Sequence, residues 1–272
     1  MNKRSGMVVL LVLFVLAGGP LWAESLMMAT TTSTDNTGLL DFLAPTFEED
    51  TGIELKWTAT GTGKALQLGR SCDVDVLLVH APHAEKAFVA EGYGTARTEI
   101  MYNDFVIIGP ASDPACLKGR AVGEALSAVA GEKAGFISRG DDSGTHKKEQ
   151  ALWMAAGMEV PDKDSWYLQP GQGMMATITM AEERSAYTMT DRGTYIKYES
   201  VKGGDAPLKI LVEGDDVLLN QYSVIPVSPE NCPGVRHDLA VAFAGWMASE
   251  RAQKLIGEFK LLGKQLFTPN AT

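Results

Sequence analysis

Residues 26–50, LMMATTTSTDNTGLLDFLAPTFEED, decide the fold. Leu26 to Thr30 has the character of a short strand, and Leu39, Leu40, Phe42, Leu43 and Phe47 recur at helical spacing up to Gly52, a good helix stop. Between strand and helix lie five consecutive hydroxyls, Thr30 to Thr34, followed by Asp35-Asn36-Thr37-Gly38. Hydroxyls and helix N-terminal amides bind anions without needing a cation. Capping the helix takes one hydroxyl and leaves the others for a ligand.

The same alternation continues outward. Ile53 to Thr58 and Val74 to His80 read as strands, with helices over Lys64 to Gly69 and Pro82 to Glu91, giving βαβαβα. Asp104 to Gly109 and Gln221 to Val227 are strong β segments on either side of an inner block. That block has strands over Gly135 to Ser138 and Ala186 to Met189 and helices over Thr145 to Ala156 and Gly173 to Glu183. A helical region, His237 to Leu255, closes the chain onto the first half. The expected fold class is α/β in two lobes, residues 24–103 with 228–272 and residues 104–227. Each is a mostly parallel sheet flanked by helices, with the ligand cleft between them.

Two further loops stand between a strand and a helix. Gly61-Thr62-Gly63-Lys64 is a small-residue turn, not a nucleotide loop: Thr58 stands where the phosphate loop needs glycine and Ala65 where it needs Ser or Thr. Alone it reads equally as a tight turn or a ligand contact, and its repetition of the strand, donor loop and helix arrangement favours contact. Ser138-Arg139-Gly140-Asp141-Asp142-Ser143-Gly144-Thr145-His146 supplies one fixed cation, three hydroxyls, and glycines that let backbone amides approach an anion. Ser143 with His146 suggests a nucleophile, but the strained elbow of serine hydrolases is absent.

The chain has 272 residues and a formal charge of −10, against nucleic acid or an anionic membrane as partner. Lys3 and Arg4, an apolar run from Met7 to Ala17, Gly18-Gly19-Pro20 and Ala23 form the layout of a secretory signal peptide, residues 1–23. The mature product is expected to be a soluble periplasmic monomer without a cofactor. His80, His83, His146 and His237 lack metal-site spacing and read as surface or packing residues, so no metal is expected. Cys116 and Cys232 each follow a crossover strand and are expected to pair, leaving Cys72 free.

Several runs resemble the periplasmic tungstate-binding component of ABC importers: TTTSTDNTGLL from Thr30, GTGKALQLGR from Gly61, DVDVLLVHAP from Asp73, NDFVIIGP from Asn103, FISRGDDSGTH from Phe136, YTMTDRGTY from Tyr187 and NQYSVIPV from Asn220. Together they cover nearly the whole mature chain, and the first and fifth are the specific ones. Cys72 is a mild departure, standing where a small residue is expected. The resemblance implies a type II periplasmic binding protein fold, a membrane permease as partner, and tungstate or molybdate as ligand. Carried over residue by residue, it nominates Thr31, Thr32 and Ser33 in one lobe and Arg139, Ser143 and Thr145 in the other. Gly61, Thr62, Gly63 and Gly144 complete the expected oxyanion site. Asp141 and Asp142 keep a phosphate-type anion as the alternative, since phosphate carries protons that reward an acceptor.

Overall fold

The structure is a computed structural model that describes residues 24–271. The expected signal peptide, residues 1–23, lies outside the described residues. In chain order the first half runs β1 (Glu24–Thr31), α1 (Thr32–Asp35), α2 (Leu39–Thr51), β2 (Ile53–Thr60), α3 (Thr62–Arg70), β3 (Val76–Val79), α4 (Pro82–Ala90) and β4 (Thr98–Pro110). The inner block runs α5 (Val122–Glu132), β5 (Phe136–Ile137), α6 (Gly144–Ala155), β6 (Tyr167–Leu168), α7 (Met174–Glu183), β7 (Thr188–Asp191), α8 (Arg192–Val201) and β8 (Leu208–Val212). The chain then returns through β9 (Leu219–Pro226), α9 (His237–Met247), α10 (Glu250–Glu258), β10 (Lys260–Leu261), β11 (Lys264–Gln265) and β12 (Thr268–Pro269).

The main sheet has the order β12-β4-β9-β3-β1-β2, with β7 and β8 also paired to β4. Its VLLV run at β3 and FVII run within β4 are continuous apolar stretches because both faces of the strand are covered. Alternate residues divide accordingly. Leu26, Met28, Val76 and Leu78 join Leu39, Phe47 and Phe243 on one face, while Ala29, Leu77 and Val79 join Leu66 and Phe88 on the other. In the inner block Phe105 and Ile107 pack with Leu126 and Trp153, and Val106 and Ile108 with Ile178 and Tyr198.

β4 joins these cores. Thr98 to Asp104 pairs with β9, and beyond Asp104 the same strand pairs with β7 and β8. The two crossover strands do lie side by side. They run antiparallel, however, and this corrects two expectations. The sheets are parallel at β1–β2, β1–β3 and β5–β6 but antiparallel wherever β4 or β9 takes part. Antiparallel neighbours end at opposite ends of the ladder, so Cys116 and Cys232 are carried apart. Cys232 instead pairs with Cys72, their Cα atoms 5.4 Å apart, and Cys116 is free and exposed. The pairing follows from the fold: β9 lies against β3, α3 packs on β3, and Cys72 turns off the end of α3 with φ 61°.

α5, α8 and β8 are elements that the sequence reading passes over, and the closing helical region is two helices, divided where Ser249 accepts from the Ala252 amide. α8 bridges the two halves. It follows β7 of the inner block, yet its Ile196 packs in the same cluster as Leu26 and Phe267. Arg192 at its start makes a two-point ion pair with Asp104 on β4, both contacts at 2.6 Å.

Candidate functional site

β1, β2 and β3 are parallel, so their carboxyl ends emerge on one edge, where sites in open α/β sheets form. At the end of β1 the chain turns at once into α1. Thr31 caps this turn, its Oγ1 accepting from the Thr34 amide at 3.2 Å and lying 3.0 Å from Ser33 Oγ and 2.7 Å from Thr34 Oγ1. Thr30 points the other way, donating to the Leu78 carbonyl at 2.8 Å, and so belongs to the sheet. Thr32 is exposed at the mouth.

At the end of β2, Gly61 is the N-cap of α3 and offers no side chain to its first-turn amides. Those donors are open to an anion or to water. The expected start at Lys64 is two residues late, because Thr62 and Gly63 already belong to the helix.

The arginine loop reaches the same space from the inner block. Gly140 has φ 65°, and a Cβ there would lie 2.7 Å from Gln169 Cβ, so glycine is required by both backbone and packing. Asp142 turns the chain with φ 58°, and Ser143 caps α6 by accepting from the His146 amide at 3.3 Å. Below the loop, buried Glu149 accepts from Ser138 Oγ, from Trp153 Nε1 at 2.6 Å and from the Tyr167 hydroxyl at 2.7 Å. Burial pushes the Glu149 carboxyl above its ordinary range, and these donors oppose the push. Ser138 thus anchors the loop from below.

Arg139 makes an ion pair with Asp141 through Nη2, while its Nε is buried without a partner. Burial acts to raise the Asp141 pKa, but hydrogen bonding from Ser143 and the Arg139 charge outweigh it and hold the carboxyl below its usual value. Asp142 pairs with Lys147. Both acids of the loop are therefore engaged within the protein.

These three loops enclose one cavity of about 450 Å³. All ten expected residues line it: Thr31, Thr32 and Ser33; Gly61, Thr62 and Gly63; Arg139, Ser143, Gly144 and Thr145. The structure adds Thr60, Lys64, Gln67, His80, Asp141 and Asp142 to the lining. His80 is a correction, for it is neither a surface nor a filler histidine. It is buried at the end of β3, with Nε2 3.0 Å from Thr31 Oγ1 and 3.1 Å from Ser33 Oγ, and with Nδ1 3.0 Å from Asn220 Oδ1. Its place at the carboxyl end of a parallel strand was the available signal. Metal spacing was the wrong test for a residue that bonds hydroxyls.

The arrangement is rich in donors: hydroxyls, the open amides of α3 and α6, the Arg139 guanidinium and the Lys64 ammonium, with the Asp141 and Asp142 carboxylates also in the lining. It does not assemble a hydrolase. Ser143 Oγ accepts from the backbone of His146, and His146 Nδ1 accepts from the Asp142 amide at 3.0 Å, so the Ser143–His146 pair expected of a nucleophile is not formed. Among the described residues no group of three or more His, Cys, Asp or Glu is placed to hold a metal ion.

The profile of the PBP superfamily domain matches residues 19–251. The tungstate-binding protein TupA of Campylobacter jejuni is 51% identical over 239 residues, 88% of either chain. This chain belongs to the TupA family of the PBP superfamily. Another TupA, from Peptoclostridium acidaminophilum, is 50% identical over 252 residues, 91% of this chain and 86% of its own. Among solved structures, the tungstate-binding protein TupA from Desulfovibrio alaskensis G20 is 66% identical, covers 92% of this chain and 100% of its own, and superposes with a TM-score of 0.87. In this TupA-family chain the α/β class expected from strand and helix patterning is the observed one. The family is one of binding proteins rather than enzymes.

Proposed function

We propose that the protein captures tungstate, and molybdate by the same chemistry, in the periplasm and presents it to the permease of an ABC importer. One observation carries the reading: three donor loops, two from one half of the chain and one from the other, line a single cavity. The 66% identity to a solved tungstate-binding protein supports it. Residues 24–103 with 228–272 form one lobe and 104–227 the other, with β4 and β9 as the hinge strands. Residues 1–23 direct export and are removed. The mature protein acts as a monomer.

Tungstate is a dianion without protons near neutral pH, so its ideal surroundings contain donors only. Thr31, Thr32, Ser33 and Thr62 with the amides of Gly61 and Gly63 hold one side of it. Arg139, Ser143 and Thr145 with the Gly144 amide hold the other. Closure of the lobes follows from contacts that exist only when both sides touch the anion. A phosphate-type ligand would call for an acceptor aimed at its proton, and Asp141 is turned toward Arg139 and the Ser143 amide while the exposed Asp142 pairs with Lys147.

A thermal-shift panel of tungstate, molybdate, sulfate, phosphate and chromate tests the assignment, since a ligand that binds only the native state raises Tm by mass action. Tungstate and molybdate are expected to give large shifts and sulfate a small one, because a cage sized for long metal–oxygen bonds leaves stretched hydrogen bonds around a smaller anion. A phosphate shift equal to that of tungstate rejects the assignment.

A further inference from the structure

His80 is the cavity residue whose role the donor inventory leaves open, and its tautomer follows from the orientation of the Asn220 amide, in which Asn103 Nδ2 is buried without a partner among the described residues. Asn220 Nδ2 donates to Asn103 Oδ1 at 2.7 Å and to the Tyr222 hydroxyl at 3.3 Å, which turns its Oδ1 toward His80 Nδ1. An amide oxygen only accepts, so Nδ1 carries a hydrogen. In the neutral ring Nε2 is then bare, and it accepts from the hydroxyl of Thr31 or Ser33. Each hydroxyl has a single hydrogen. The one given to the imidazole is withheld from an anion in the cavity.

A second proton on the ring reverses this bond. Nε2–H then donates to the hydroxyl oxygen, the hydroxyl hydrogen is free to face the anion, and a positive charge stands directly behind it. We propose that His80 is a proton-linked positioning residue: binding of the oxyanion draws a proton onto Nε2, which re-aims into the cavity whichever hydroxyl, Thr31 or Ser33, had donated to it. The inference rests on reading the cavity as an oxyanion site.

The surroundings favour neutrality without ligand and charge with it. Burial lowers the His80 pKa, while Asp191 at the end of β7 and the bond to Asn220 pull it upward. The ring stacks on Tyr222 with centroids 4.7 Å apart, and burial keeps that phenol protonated. From α6 and its loop, Gly144 approaches the ring while Arg139, Asp141 and Asp142 share the cavity, as does Lys64 from α3. On α4, Glu85 accepts from the Ala81 amide beside the ring and is paired with Arg97 at 2.6 Å. Arg139 and Lys64 oppose a further positive charge in the empty cavity. A bound dianion reverses that field.

The test is calorimetry of micromolar tungstate binding to the full mature chain between pH 6 and 8, in buffers of different ionisation enthalpy. The wild type is expected to take up part of one proton per tungstate at pH 7 and to tighten by up to about tenfold per unit as pH falls. His80→Gln, whose side-chain amide is a permanent donor near the Nε2 position, is expected to bind without uptake and with a flat profile. Asn220→Asp sets a carboxylate against Nδ1 and is expected to move the wild-type profile to higher pH, which a merely structural role would not do. A wild type that binds tungstate with no proton uptake, or uptake that survives His80→Gln, overturns the inference while leaving the oxyanion site in place. A wild type that binds no tungstate overturns the site itself and this inference with it.

Discussion

Replacement of Arg139 by alanine separates the energetics of the ligand from those of the fold. The guanidinium is held by Asp141, with 15% and 20% of the two side chains exposed, and its Nε has no partner among the described residues. The pair is mostly buried and so worth more than a surface ion pair, but Asp141 keeps the Ser143 amide as a partner when the guanidinium is removed, which holds the cost to the protein without ligand to about 1 kcal/mol. Against a dianion the same guanidinium makes charge-assisted bonds worth about 1.5–3 kcal/mol, with Nε as a donor still unspent. Arg139→Ala is therefore expected to weaken tungstate by about 13- to 160-fold while moving the apo Tm by no more than about 4 °C. Arg139→Lys keeps the charge but loses the planar fork and is expected to fall between. Asp141→Asn, which frees the arginine from its internal partner, is expected to tighten binding or leave it unchanged. The assay is isothermal titration beside thermal melting of the empty proteins. If Arg139→Ala stays within threefold of wild type in affinity while its apo Tm drops sharply, the arginine shapes its loop and the reasoning fails.

Reducing the Cys72–Cys232 bridge opens a loop of 160 residues, worth about 5 kcal/mol at 25 °C in the chain-entropy model, and is expected to lower Tm well beyond any change at Cys116. Titration of the denatured, unreduced protein with a thiol reagent is expected to find one free thiol. Gly140→Ala forces a side chain toward Gln169 at a positive φ and is expected to weaken tungstate at least tenfold with the first lobe intact, as read by titration and circular dichroism. Asp104→Ala removes the two-point contact between β4 and Arg192 at the start of α8 and is expected to lower the apo Tm by several degrees. For the ligand-free protein the folded His80 pKa lies below its unfolded value of 6.5, so the unfolded chain binds more protons around pH 6. That share of stability is present above pH 6.5 and lost as pH falls through the folded value. Melting from pH 8 to pH 5 is expected to show a smaller loss for His80→Gln than for wild type.

What the sequence revealed was the local alternation and the donor loops, because both are written in neighbouring residues. Leu39 to Phe47 shows its helix through spacing alone, and Thr30 to Ser33 shows its donors through composition. Strand direction is different in kind. DFVIIG and QYSVIPV announce strands, but nothing in either says that β4 and β9 run antiparallel, and the wrong disulfide followed from that single omission. α8 was missed because RGTYIKYESV buries residues against both halves of the molecule and so has no clean apolar stripe. His80 was misjudged because its partners, Thr31 and Asn220, are 49 and 140 residues away in sequence. No local pattern carries that network.

The central claim is that one cavity holds tungstate between the hydroxyl loop and the arginine loop. Crystals of the mature protein grown with one equivalent of tungstate, measured at the tungsten absorption edge, test it most directly. A single anomalous peak is expected within hydrogen-bonding reach, through the anion's oxygens, of Thr31, Thr32 and Ser33 on one side and Arg139, Ser143 and Thr145 on the other. A peak elsewhere on the chain, or one touching only one of the two loops in a closed molecule, contradicts it.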